Sequence, residues 1–200
     1  MMLERRNNAA RGGPHGRGDE ANELRLIGLI EGGDKLAFAQ LYRAYFPRLA
    51  RFLDRMTRNP ALIEEIINDT MLVVWQRADS FNHGSKLSTW IFAIAYRKAL
   101  KGIQGLDEPV ESDFEDSAGP PGYEPEIALS MHQLQHMVAR ALDSLSVLQR
   151  TVVNLAYYHG MGYQEIAEIM DCPVNTIKTR MFSARTRLRE LLAGQMEDFE

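Results

Sequence analysis

Gly162–Leu192 reads GYQEIAEIMDCPVNTIKTRMFSARTRLRELL. A short amphipathic stretch, Tyr163 to Met170, is followed by the break Asp171-Cys172-Pro173, and a longer helical pattern then runs from Val174. In this second stretch Ile177, Met181, Ala184, Leu188 and Leu191 recur at alternating spacings of four and three, which defines one buried face of an α-helix. The opposite side offers Asn175, Lys178, Thr179, Ser183 and Arg185, followed by Arg187 and Arg189. A short helix, a tight turn and a helix with a basic polar face meet the requirements of a helix-turn-helix. In that motif the second helix lies in the major groove, where its N-terminal side chains reach base edges while Lys and Arg meet phosphates. A basic helix face is also the ordinary appearance of a solvated surface. The small Ala167, the turn and the arginine spacing together favour DNA binding. Cys172, in the turn, reads as a small buried residue before it reads as a redox group.

Working outward, helical periodicity precedes this segment from Glu126 through Leu129, Leu134, Met137, Val138, Ala141 and Leu142, and again from Val147 to Tyr158. Towards the N-terminus a further set of helices is expected. Leu26, Leu29 and Ile30, then Ala37, Phe38, Leu41 and Tyr45, follow helical spacing, interrupted by Gly32-Gly33 with Asp34 as the expected cap of the second helix. Pro47 is expected early in a separate stretch carrying Leu49, Phe52, Leu53 and Met56. Asn59-Pro60 closes that stretch and opens the next, since proline fits the first helical turn. Residues 61–78 form a strongly apolar helix, and the loop Phe81–Ser85 leads into a last helix from about Ser88 to Lys101. The expected fold is all-α, with two small helical domains.

Between them lies LDEPVESDFEDSAGPPGYEPE, with four prolines and few aliphatic residues. Such a composition buries too little surface to offset chain entropy, so residues 105–126 are expected to be an extended acidic linker. This stretch also explains the net charge of −4. Residues 107–126 hold 8 Asp/Glu and no Lys/Arg, whereas residues 24–106 hold 12 Lys/Arg against 7 Asp/Glu. Charge acts over about 8–10 Å at physiological salt, so the local balance matters more than the total. Residues 1–22, basic and Gly-rich, are expected to be a disordered leader, with 23–104 and 127–194 as the two domains and 195–200 as a tail. No apolar run is long enough to span a membrane, and a single cysteine fits a reducing cytoplasm.

Three blocks of the second half carry a family resemblance. They are Leu145-Ser146-Val147-Leu148-Gln149-Arg150, Gly162-Tyr163-Gln164-Glu165-Ile166-Ala167, and Cys172 through Arg180, continuing in Arg185-Thr186-Arg187-Leu188-Arg189-Glu190-Leu191-Leu192. Together they closely resemble region 4 of bacterial extracytoplasmic-function sigma factors. Related helices occur in response-regulator output domains, so the first half decides between the two. A response regulator would begin with alternating strands and helices, and no such alternation is present. Instead Ala37–Tyr45 resembles the first helix of sigma region 2, Glu64–Trp75 the helix that docks on the polymerase clamp, and Leu87–Ala95 the helix that enters the −10 element.

The resemblance implies a set of roles. Asn175, Thr176, Lys178, Thr179, Arg180, Phe182, Ser183 and Arg185 would meet bases and phosphates of the −35 element. Phe81, Asn82, His83, Ser85 and Lys86 would accept a flipped base of the −10 element, with Phe81 as an aromatic wall. Arg97, Lys98 and Lys101 would meet phosphate. On residues 61–78, Ile66, Ile67, Thr70 and Val74 face the core while Glu65, Asn68, Asp69, Leu72 and Gln76 share an outer face. That mix of acid and apolar surface suits a basic partner, although a solvated helix face would look similar. The implied partners are core RNA polymerase, through its β′ clamp and β flap, and promoter DNA. Such factors are commonly held by an anti-sigma factor, though other controls exist. The chain departs from the family pattern at one place. Where most members carry Arg-Asn after Ile94-Ala95, then Asp and a terminal Arg-Arg, it reads Tyr96-Arg97, Lys101 and Gln104-Gly105.

No phosphate loop, Cys/His metal spacing or nucleophile motif is found, so neither an enzyme nor a cofactor is expected. The competing class is an ordinary helix-turn-helix repressor or activator. The acidic linker adds an expectation of its own, because in the family it threads polymerase channels built for polyanions. Neutralising Asp107, Glu108, Glu111, Asp113, Glu115 and Asp116 should weaken assembly with core polymerase or change the pattern of abortive transcripts. If binding and abortive synthesis both stay unchanged, the stretch is only a tether.

Overall fold

The structure, a computed structural model, describes residues 17–104 and 137–197. Among these residues every element is helical. In chain order they are α1 (Arg17–Glu31), α2 (Lys35–Thr57), α3 (Pro60–Gln76), a 3₁₀ turn (Ala78–Ser80), α4 (Leu87–Gln104), α5 (residues 137–143), α6 (Val147–Tyr157), α7 (Tyr163–Ile169) and α8 (Val174–Glu197). The acidic stretch expected to link the domains lies outside the described residues.

Local sequence sets most of the boundaries. Gly33, at φ 84, turns the end of α1: its amide donates to the Ile30 carbonyl at 2.9 Å and that of Asp34 to Leu29 at 3.0 Å. This paired arrangement satisfies the last carbonyls of the helix and needs a residue without Cβ strain. Asp34 then caps α2, accepting from the amides of Leu36 (2.8 Å) and Ala37 (3.0 Å). Asn59 caps α3 by accepting from Leu62 at 3.1 Å, with Pro60 in the first turn as expected. Ser146 caps α6 and shares reciprocal hydrogen bonds with Gln149.

Two expectations are corrected. Pro47 does not separate two helices: α2 runs unbroken for 23 residues through it. The loss of one internal hydrogen bond is outweighed by the buried stripe Ala37, Leu41, Tyr45, Leu49, Phe52, Leu53 and Met56, which continues across the proline in register. Likewise, α1 starts at Arg17, inside the stretch expected to be leader.

Helices α1–α4 enclose a core built on Leu41, Tyr45, Leu49, Phe52, Leu53, Ile67 and Phe92, all fully buried. In the second half Leu155, Ile166, Ile169, Ile177 and Ala184 are fully buried between α6, α7 and α8. These two sets join in one hydrophobic cluster, because α6 packs on α2 and α7 on α4. Burying a Leu or Phe side chain contributes about 1.5–3 kcal/mol, so these positions hold most of the fold together. Replacing the cap in Asp34→Ala should lower the urea-unfolding free energy by about 1 kcal/mol with little change in the denaturant slope.

Candidate nucleic-acid interface

Helix α7 is preceded by its N-cap residue Gly162, whose amide donates to the Glu165 carboxylate at 2.8 Å. The turn to α8 is closed by Asp171 in the left-handed region (φ 48) and by the Cys172 amide donating to Ala167 at 3.1 Å. Ala167 is buried there, and a larger side chain would hold the two helices apart. On α8, Ile177, Met181 and Ala184 are buried as their spacing predicts, with Leu188 half-buried beyond them.

That orientation turns Asn175, Lys178, Thr179, Phe182 and Arg185 to solvent. The first four share one face of the helix at spacings of three and four. Phe182 is 73% exposed, an unusual position for a large aromatic ring unless something covers it. Thr176, Arg180 and Ser183 are half-buried at the margin of this face. The Thr179 hydroxyl donates to the Asn175 carbonyl at 3.0 Å, leaving an oxygen able to accept. Arg185 is drawn towards α6: its guanidinium donates to the Tyr157 hydroxyl at 2.8 and 3.1 Å. Arg180 leans back onto Cys172, with 3.6 Å from nitrogen to sulfur.

The loop ahead of α4 is ordered by its own side chains. The Asn82 side chain accepts from the Gly84 amide at 3.0 Å, and His83 adopts φ 57. Phe81, expected as an aromatic wall, is a core residue, 5% exposed and packed on Trp90 with ring centroids 5.6 Å apart. The accessible ring is that of His83, whose centroid lies 4.7 Å from that of Phe81. Asn82 and Lys86 are exposed and Ser85 is half-buried. On α4, Arg97 and Lys101 point to solvent one turn apart, whereas Lys98 is paired with Asp69 of α3 at 2.8 Å.

Helix α3 presents Glu65, Asn68, Asp69, Leu72 and Gln76 together on its outer face, all exposed, with Leu72 at 49%. The face is braced from α2, where the Tyr42 hydroxyl donates to the Asn68 side chain at 2.9 Å. Ile66, Ile67, Thr70 and Val74 are buried on the other side as expected. Sequence reading missed Tyr42, Tyr157 and Glu165 as partners of the expected residues, and no local periodicity could have found them. Glu165 holds Lys86 in an ion pair of 2.9 Å that joins the two halves, and this bond raises the lysine's pKa.

Two family models match the chain: Sigma-70 region 2 over residues 41–107, and Sigma-70, region 4, over residues 135–188. The ECF RNA polymerase sigma factor RpoE of Cereibacter sphaeroides is 31% identical over 160 residues, which cover 78% of this chain and 87% of that relative. The chain belongs to the ECF RNA polymerase sigma factors. The sigma-E factor of Haemophilus influenzae is 28% identical over 191 residues, covering 89% of this sigma factor and 99% of its relative. Among solved structures, the sigma factor RpoE from Bartonella quintana, in complex with the anti-sigma factor NepR, is 28% identical with a TM-score of 0.58. That match covers 78% of this chain and 96% of the other. Region 2 of this sigma factor therefore contains most of α2, all of α3 and α4 and the loop between them, and region 4 contains α6, α7 and most of α8.

The two kinds of residue on α8 should separate in a stability measurement. Phe182→Ala should change the unfolding free energy by no more than about 0.5 kcal/mol, whereas Ile177→Ala should cost about 2–5 kcal/mol. Equal losses would mean that Phe182 is covered in solution.

Proposed function

We propose that this sigma factor binds core RNA polymerase and directs initiation at promoters whose −35 element is read by α8 and whose −10 element is opened by the loop 81–86 and α4. The observation that carries this reading is the pairing, in one chain, of a helix-turn-helix having an exposed reading face with an acidic and apolar face on α3. A repressor needs only the first of these. On α8, Asn175, Thr176, Lys178, Thr179, Phe182 and Ser183 meet bases and nearby phosphates, with Arg180 and Arg185 on the backbone. In region 2, Asn82, His83, Ser85 and Lys86 receive the flipped base, His83 supplying the accessible ring. Arg97 and Lys101 contact phosphate directly, and Lys98 does so on leaving Asp69.

Glu65, Asn68, Asp69, Leu72 and Gln76 form the surface for the β′ clamp. Charge steers this docking, and the exposed area of Leu72 adds apolar burial at its centre. Region 4 would contact the β flap. An anti-sigma factor is a proposed partner by analogy with the Bartonella quintana complex. The protein would work in the cytoplasm, where polymerase and promoter DNA meet.

The test is in vitro transcription with core polymerase on a library of candidate promoters. A sigma factor gives promoter-dependent transcripts and a defined complex with core enzyme. A chain that binds DNA tightly alone and supports no transcription is a repressor, and the reading fails. In the active complex, Arg185→Ala, which removes a proposed backbone contact, should weaken promoter binding about equally across sequences and lower the salt slope by about 1.

A further inference from the structure

Arg185 is held differently from the lysines of the −10 surface. Lys86 is paired with Glu165 at 2.9 Å and Lys98 with Asp69 at 2.8 Å, so a carboxylate of the chain cancels part of each charge. The partner of Arg185 is a neutral phenol. Its Nε and Nη2 donate to the Tyr157 hydroxyl at 3.1 and 2.8 Å, and the guanidinium carbon lies 5.7 Å from the centre of the same ring. Tyr157 is the last residue of α6 and precedes Arg185 by 28 positions, the two being brought together by the packing of α6 on α8.

Both side chains are on the surface, Tyr157 at 61% exposure. A surface arginine samples many rotamers and loses that freedom when a ligand fixes it. The Tyr157 hydroxyl restricts the arm within the free chain instead. It occupies one fork of the guanidinium, and the remaining N–H groups stay available, since arginine carries more donors than one hydroxyl can accept. The hydrogen bond to Tyr157 raises the pKa of Arg185, so the group keeps its full charge. Arg189, exposed one turn further along α8, lines the same groove, and the cationic edge of the helix continues past the pair.

We propose that Tyr157 is a positioning residue of the −35 contact: its hydroxyl fixes Arg185 to one side of the stripe Asn175, Lys178, Thr179 and Phe182, so that the free edge of the guanidinium meets a phosphate of the duplex with its charge intact. A carboxylate at this position would hold the same fork and cancel the charge that phosphate contact uses. Phenylalanine would keep the ring and release the arm. A phenol fixes the arm without neutralising it. The assignment rests on the reading of α8 as the −35 helix proposed above.

Promoter affinity of the holoenzyme, measured over a salt series, tests the assignment in the full-length chain. Tyr157→Phe should weaken binding about three- to tenfold and keep the wild-type salt slope, because the cation is still present. Arg185→Ala lowers that slope by about 1, and in its background Tyr157→Phe should change affinity by less than about twofold. Tyr157→Glu should lower the slope as Arg185→Ala does, although the fork is still bound. The urea midpoints of these variants should match the wild type, since both residues are exposed.

Wild-type affinity in Tyr157→Phe overturns the assignment, as does an equal loss with and without Arg185. A wild-type slope in Tyr157→Glu, or an affinity loss that tracks a lowered urea midpoint, overturns it as well. The same variants are titrated as the free chain against a mixed-sequence duplex at low salt, which requires only the helix-turn-helix. If core polymerase is not bound while the coupling of Tyr157 to Arg185 persists on this duplex, the sigma-factor reading fails and the positioning role stands. If the holoenzyme forms and the coupling is absent, the positioning role fails and the sigma-factor reading stands.

Discussion

Phe52 is the point on which both halves of the molecule depend. Its ring is fully buried against Phe92 of α4, and the edge of His159 approaches from the second half. Its carbonyl accepts from Asn154 across 102 residues of sequence. Region 2 folds around this ring, so the surface that receives region 4 is the outer layer of region 2's own core. This fixes how the two halves meet. Any movement of α2 relative to α4 displaces the seat of His159, and the buried amide of Asn154 reaches the Phe52 carbonyl only when the halves meet.

Legibility in the sequence followed the range of the interaction. The cap at Asp34, the helix boundary at Asn59-Pro60, and the buried stripes of α3 and α8 depend on close neighbours in sequence, and all were readable. The outer face of α3 was readable for the same reason: if Ile66, Ile67, Thr70 and Val74 are buried, helical geometry leaves Glu65, Asn68, Asp69, Leu72 and Gln76 outside. Pro47 misled because the local penalty was visible and the tertiary reward was not. Phe81 misled differently. Its place in a loop suggested exposure, and only the packing of Trp90 makes it core.

Pairings between helices had no local signature. Lys98 and Asp69 stand on different helices, and the chemistry expected of each, phosphate for one and a basic surface for the other, is the chemistry by which they find one another. The same holds for Lys86 and Glu165. Residues chosen to meet charged partners carry unspent charge, and in the unbound chain the nearest opposite charge is the protein's own. Lys86 and Lys98, two of the lysines proposed for the −10 surface, are thus partly neutralised within the chain itself. Under the proposed function, phosphate contact exchanges one ion pair for another at Lys86 and Lys98, which reduces the net gain from each.

The strength of the contact between the halves also has a useful upper limit. Lys86 remains 54% exposed in its pair, and such surface pairs contribute about 0–1 kcal/mol. The Asn154 hydrogen bond adds about 1 kcal/mol net, since water can replace the carbonyl when the halves part. Phe52 and Phe92 lie against each other within region 2, so separation leaves much of their area covered. Moving a two-state equilibrium from 1:99 to 99:1 requires about 5.5 kcal/mol of differential binding. A partner that binds with micromolar affinity or better has about 8 kcal/mol or more to draw upon. A mixed polar and aromatic contact thus joins the halves through groups that water can serve when they part. A fully apolar contact of the same extent would resist opening, because no water-compatible group would be released when it parted.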